Sequence, residues 1–258
     1  MKKILITGAR SGIASSYIDY IKDRDYLIYA TTHKELESKR LKEKYKNYQN
    51  IISFKLDITK EEDRDKIKDL DIDVIILNAA ISNGGSLMKI DISKVKENFE
   101  VNVFSNLILI QKYIKNRYIK GGKIIIMSSL AGIIPLPFVG SYCATKASLI
   151  KFAEVLRKEL SLVNKKINIS LIEPGIYKTG FNEFMFMNKY DNNDLYFRNV
   201  LDKIEKQEDL LINVLAKKSI LSIVKKIDKA VISNNPKLIY RAPLLQVIGA
   251  KIYSLFKE

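Results

Sequence analysis

Seven short runs of β-branched and other apolar residues recur along this chain, separated by helix-length amphipathic stretches. The runs fall at residues 3–7, 26–31, 51–56, 74–77, 123–128, 168–172 and 238–240. Their apolar residues are continuous rather than alternating, as in strands of a parallel sheet covered on both faces. Helical patterns occupy 13–22, 93–116 and 141–162, and in the second Val95, Phe99, Val103, Leu107 and Ile110 recur at helical spacing. Strand–helix alternation of this kind predicts an α/β fold. The expected form is a doubly wound, mostly parallel sheet of about seven strands with helices on both faces. A length of 258 residues suits one well-buried core, and no repeat or low-complexity linker divides it, so one domain over 1–258 is expected.

Other classes drop out on composition. One cysteine, Cys143, excludes an internal disulfide framework and a Cys-rich zinc site, and it fits a reducing, cytoplasmic setting. One histidine, His33, leaves no Cys/His cluster, so no metal is expected. Apolar runs such as 124–127 are far below the roughly 18 to 20 residues that span a bilayer. The apolar start at residues 4–6 ends at Thr7-Gly8 and reads as a buried strand, not an export signal. Charge is the unusual feature: 44 basic residues stand against 29 acidic, a net +15. Lysine dominates, 36 to 8 arginines, with no basic-aromatic motif, which speaks against nucleic acid and for a lysine-rich background.

Thr7-Gly8-Ala9-Arg10-Ser11-Gly12-Ile13-Ala14 joins the first predicted strand to the first helix. Glycines there let the backbone turn tightly and approach a pyrophosphate at a helix N-terminus. This stretch resembles the T-G-x-x-x-G-x-G loop of the short-chain dehydrogenase/reductase family, with Ala14 in place of the last glycine. Further family motifs follow in order: Asp57, Asn78-Ala79-Ala80, Asn102, Ser129, Tyr142-x-x-x-Lys146, then Pro174-Gly175 with Thr179. The resemblance is dense over about residues 1–180 and looser beyond. It implies a Rossmann-type fold that binds NAD or NADP and carries out carbonyl/alcohol redox chemistry.

By that resemblance Thr7, Gly8, Arg10, Ser11, Gly12 and Ile13 cradle the phosphates, and Asp57 and Ile58 meet the adenine. Asn78, Ala79 and Ala80 support the sheet beside the nucleotide, and Pro174, Gly175, Ile176 and Thr179 meet the nicotinamide end. The Asn-Ala-Ala departs from the family's Asn-Asn-Ala-Gly. Like Ala14, it adds a methyl where backbones pack closely, so altered affinity rather than lost binding is expected. The family's ribose-binding acid would sit near Thr32, and no acid appears until Glu35. Arg10, His33 and Lys34 could neutralise a 2′-phosphate, so NADP is preferred over NAD, although Arg10 lies one residue earlier than the family's usual basic position.

Tyr142 and Lys146 are four residues apart and emerge on one helix face. An ammonium beside a phenol favours the phenolate and lowers a pKa near 10, which makes tyrosine a proton donor and acceptor at neutral pH. Ser129 can hydrogen-bond a substrate oxygen as charge develops on it. Asn102 matches the family member that holds a water linking the lysine to solvent. Tyr142 and Lys146 also contact the nicotinamide ribose in this resemblance. A non-catalytic nucleotide-binding regulator or scaffold on the same fold is the alternative, which the intact Asn102/Ser129/Tyr142/Lys146 set opposes.

Two further segments bear on substrate and partners. Residues 180–217, dense in Phe, Met and Tyr, read as a substrate lid, and with residues 133–138 they suggest an apolar or amphipathic carbonyl or alcohol. Residues 217–258 hold nine basic residues against two acidic. Within them, the apolar, lysine-flanked tail at 243–258 is a candidate for peripheral membrane contact at the inner face, the rival being a helix docked on the body or on another subunit. A homo-oligomer is expected from the resemblance.

Overall fold

The computed structural model describes residues 1–163, 166–181, 185, 196–197, 199–200, 203–204, 206 and 216–255. β1 (Lys2–Ile6) leads into α1 (Gly12–Ile21), followed by β2 (Tyr26–Thr32), α2 (Glu35–Lys44), β3 (Ile51–Lys55), the short α3 (Glu61–Asp65) and β4 (Val74–Leu77). Next come α4 (Ile92–Phe99), a π turn (Glu100–Phe104), α5 (Ser105–Arg117), β5 (Gly122–Met127), α6 (Gly140–Val163) and β6 (Ile167–Pro174). α7 (Leu221–Ile232), β7 (Ile239–Ala242) and α8 (Leu244–Leu255) complete the order. The strands form one sheet in the order β3-β2-β1-β4-β5-β6-β7, every neighbouring pair parallel. All seven predicted strands are present, and the predicted sheet is wholly parallel.

Side chains of one strand leave for opposite faces, which explains the continuous apolar runs. Ile4, Ile6, Ile28, Ile76, Ile125 and Ile172 enter one core with Tyr17 and Ile21 of α1 and Ile223 and Ile227 of α7. Leu5, Ile75, Leu77, Ile124, Ile126 and Leu171 enter the other with Leu109 of α5 and Leu149 and Ala153 of α6. Each such side chain, withdrawn completely from water, contributes roughly 1.5–3 kcal/mol. β1 pairs with β2 on one side and β4 on the other, so the winding direction reverses there, and a crevice opens at the carboxyl ends of these strands.

One expectation changes. The helix expected over 93–116 is interrupted by the π turn, and its buried flank joins Val103 and Ile110 of the apolar series with polar residues. Asn98, Asn102, Ser105 and Asn106 are buried along with Leu109, Ile110 and Tyr113, while Val95, Phe99 and Leu107 are only half-buried. Of the lid expected at 180–217, most residues lie outside those described. Among the described ones, Phe181 and Met185 pack with Val139 and Tyr142, and the Phe197 ring meets Phe138 edge-on at 4.9 Å.

Candidate active site

At the reversal point the β1–α1 loop and the end of β4 are fastened together. Asn78 donates from Nδ2 to the carbonyls of Thr7 (3.1 Å) and Gly8 (3.0 Å), while the backbone N–H groups of Asn78 and Ala79 both donate to Thr7 Oγ1 (3.0 Å each). Gly8 has φ +65°, and a Cβ there would meet the Ala79 Cα at 2.8 Å, so only glycine permits this approach. Gly12, also at φ +65°, opens α1 after Ser11, whose side chain makes no capping bond, and Ile13 packs against the core. The site Gly12 would give a Cβ lies 3.5 Å from Thr179, so the Pro174–Thr179 segment closes on the glycine loop. Bare backbone at an uncapped helix start suits the pyrophosphate of a dinucleotide, and these residues fit one.

The adenosine end holds a residue that sequence reading passed over. Glu37, nearly buried in α2, binds Arg10 Nη1 at 3.0 Å and lies 3.3 Å from His33 Nδ1. Arg10 and His33 themselves are exposed, so the guanidinium and the imidazole meet on one carboxylate. Thr32 is buried and its hydroxyl donates to the Lys34 carbonyl at 3.0 Å. Asp57 Oδ1 accepts from the N–H and hydroxyl of Thr59, and Ile58 is buried beneath it.

The chemical end is built on α6 and braced from α4 and the π turn by two equivalent rungs. Asn98 exchanges 2.9 Å bonds with both backbone groups of Asn83 and donates to Ser141 Oγ at 2.6 Å. Four residues on, Asn102 exchanges 2.8 Å bonds with both backbone groups of Ile81 and donates to Thr145 Oγ1 at 3.1 Å. Ser141 and Thr145 immediately precede Tyr142 and Lys146, so each rung fixes the backbone next to one of them. Lys146 Nζ donates to the Met127 carbonyl at the end of β5 (2.8 Å) and lies 5.4 Å from the centre of the Tyr142 ring. Ser129 Oγ accepts from the Ala131 N–H at 3.1 Å and donates to the Pro174 carbonyl at 3.4 Å, and its nearness to the Tyr142 phenol favours the phenolate.

Ser129, Tyr142 and Lys146 thus come together, with Asn102 one helix away. His33 stands apart, and the half-buried Cys143 thiol is pushed up by burial, away from a reactive thiolate. The expected lowering of the Tyr142 phenol is not what the site shows. Burial outweighs the effect of Ser129 and raises the phenol well above its usual 10. The same burial lowers the Lys146 ammonium from 10.5 to about 8.

The profile of the short chain dehydrogenase family matches residues 2–189. The chain belongs to this family. Relatives include an NADPH-dependent 3-dehydrocapnine reductase of Ornithobacterium rhinotracheale, 27% identical over 69% of this chain and 66% of that protein. Another is a 3-ketodihydrosphingosine reductase of Bacteroides thetaiotaomicron, 28% identical over 70% of this chain and 65% of that one. The matched part therefore spans just under two thirds of these relatives' own length. Among solved structures, a short-chain dehydrogenase/reductase from Burkholderia phymatum in complex with NAD shares the fold, with a TM-score of 0.78 and 16% identity. Its alignment covers 97% of this chain and 92% of that one.

Burial of Lys146 in this short-chain dehydrogenase has a measurable sign. The native ammonium gives up its proton near pH 8, while the unfolded chain keeps it to about 10.5. In that window the unfolded state binds more protons, so this group's contribution to stability rises with pH. Urea unfolding of wild type and Lys146→Met between pH 7 and 10 checks it: wild type should gain on the variant above pH 8. A gap that stays constant would mean that the ammonium is not desolvated.

Proposed function

We propose that the protein is an NADP-preferring oxidoreductase that interconverts a carbonyl and a secondary alcohol. The burial of Tyr142 beside Lys146, whose Nζ lies 5.4 Å from the centre of its ring, carries this reading. When bound, the nicotinamide dinucleotide supplies or accepts the hydride. In reduction the Tyr142 hydroxyl gives its proton to the carbonyl oxygen, and Ser129 Oγ hydrogen-bonds that oxygen as negative charge grows on it. Lys146 holds the resulting phenolate by its charge and restores the proton, with Asn102 holding the water that connects it to solvent, as the resemblance implies. A retired enzyme kept as a nucleotide-binding scaffold would have no need of this set. Tyr142→Phe should lose turnover by about 10²-fold or more while still binding the dinucleotide. Unchanged turnover in a panel of ketones and alcohols, followed by nicotinamide absorbance, would overturn the assignment.

The NADP preference rests on Arg10 and His33, which flank the adenosine end where the family's ribose-binding acid is replaced by Thr32. The NADPH-dependent relative supports it. Glu37 complicates it, because the 2′-phosphate must draw Arg10 and His33 away from a carboxylate. NADPH should nevertheless bind at least about tenfold tighter than NADH by titration calorimetry, and comparable dissociation constants would sink the preference.

The apolar Phe181 and Met185 beside Tyr142 fit an apolar or amphipathic substrate, and one relative is named for reducing a 3-keto sphingoid base. Such a substrate would be met at a lipid surface. Val247 and Ala250 of α8 are buried against the body, while Leu244, Leu245, Ile248 and Ile252 are exposed. With the basic residues around it, this outward side would lie on an anionic membrane from the cytoplasmic side. Exposed Phe152 and Val155 on α6 would serve contact with a second copy. No helix among the described residues is long and apolar enough to cross a bilayer. Replacing Leu244, Leu245 and Ile248 with serine should abolish co-sedimentation with anionic vesicles; equal pelleting of both proteins would end the membrane reading.

A further inference from the structure

α8 has a second role on its inward side. Val247 and Ala250 pack against Leu130, Ile133 and Ile134, the stretch that begins one residue after Ser129. Gln246, on the same inward side, reaches the other wall of the site. Its Oε1 accepts from the Ile176 backbone N–H at 2.7 Å, and its Nε2 donates to the Ile176 carbonyl at 3.4 Å. A Cβ on Gly175 would lie 1.9 Å from Gln246 Oε1, so the carboxamide occupies space that only glycine leaves open. The Gly175 N–H meanwhile donates to the Ala242 carbonyl at 2.8 Å, just before α8 begins. One short helix therefore touches the Ser129 side of the site with its apolar residues and the Pro174–Thr179 side with an amide.

We infer that Gln246 is a positioning residue that holds the Pro174–Thr179 segment at its working distance from Ser129. The inference rests on the proposed cofactor chemistry. Ile176 lies just beyond the end of β6, and its carbonyl also accepts from the Lys217 N–H at 3.1 Å in the bridge that pairs Tyr177 with Lys217, whereas its own N–H donates to Gln246. Lys217 holds the segment on one side; the amide of Gln246, borne on a helix packed on Leu130, Ile133 and Ile134, ties it to the Ser129 side. Thr179, three residues further along, sits against the glycine loop, so a shift at Ile176 is passed to the end of the cradle that faces the nicotinamide. A ligand that fills only the adenosine end would not sense this tie, whereas one that spans both ends would.

That difference provides the test. Gln246→Met keeps the length of the side chain and removes both hydrogen bonds. Gln246→Glu keeps the acceptor for the Ile176 N–H and loses the donor. Binding of 2′,5′-ADP and of NADPH to each full-length protein is measured by calorimetry, with amide exchange over 174–179 and the thermal midpoint recorded beside them. For the methionine variant the positioning role requires NADPH affinity to fall by about tenfold, 2′,5′-ADP affinity to stay within about twofold of wild type, and exchange over 174–179 to quicken. The glutamate variant should fall between it and wild type. Equal loss for the two ligands would make Gln246 a general packing residue, and no loss for either would remove the role altogether. If the methionine variant does not fold, a glutamate variant with unchanged NADPH affinity and exchange overturns the inference. Failure of the wild type to bind either ligand would instead overturn the cofactor reading on which it rests.

Discussion

Parallel strands cannot be joined by tight turns, and that constraint arranges everything else in this molecule. Each return to the sheet requires a crossover, so all seven carboxyl ends face one edge and every loop leaving them converges there. Residues as distant in sequence as Thr7, Asn78, Ser129 and Ile176 become neighbours because each lies within two residues of the end of a strand. At the reversal between β1 and β4 the two loops would part, leaving backbone groups without partners. Asn78 and Thr7 supply them, and Gly8 lets the loops close to contact. The crevice is thus a product of topology, and its width is set by four hydrogen bonds and one missing Cβ.

A long helix lying across a sheet is free to roll about its axis, and α6 carries both Tyr142 and Lys146. One hydrogen bond would leave it a pivot. Two rungs one turn apart, Asn98 to Ser141 and Asn102 to Thr145, fix both its rotation and its position along the axis. Each rung closes on a short backbone stretch, Ile81 to Asn83, that is itself fixed by following β4 and the Asn78 join. The buried asparagines cost little because every polar group on them is satisfied. The π turn around Asn102 belongs to the same design, since an extra residue in the helix changes which side chains face α6.

The strands, the doubly wound order and the Tyr142/Lys146 pair were legible because they depend on patterns within a few residues. Apolar runs mark strands buried on both faces, and an i, i+4 spacing needs only a helix. The flank of α4 and α5 was misread for the same reason. Of the series Val95, Phe99, Val103, Leu107 and Ile110, only Val103 and Ile110 are buried, because the rest of that flank is polar and packs through hydrogen bonds, which leave no hydropathy signal. Glu37 was passed over because its two partners come from the loop before α1 and the end of β2, and only the β1–β2 pairing brings those together. Gln246 sits in a run that reads as an apolar tail. Its significance depends on the backbone of Ile176, seventy residues away, and on a glycine beside it.

The proton chemistry is governed by burial more than by the pair itself. Desolvation penalises charge of either sign, so it lifts the Tyr142 phenol and depresses the Lys146 ammonium together. A phenol well above 10 is held neutral at ordinary pH, even though Ser129 beside it works in the opposite direction. Such a group gives its proton readily only to an oxygen that is becoming strongly basic, as a carbonyl oxygen does when hydride reaches its carbon. Lys146, near 8, still carries its charge at neutral pH and can meet the phenolate that this transfer leaves. Running the chemistry the other way would first require a phenolate in the same dry setting, and only the lysine charge offsets that cost. In the proposed chemistry, burial around α6 would favour a neutral phenol at rest, and the Met127 carbonyl holds the Lys146 ammonium beside it.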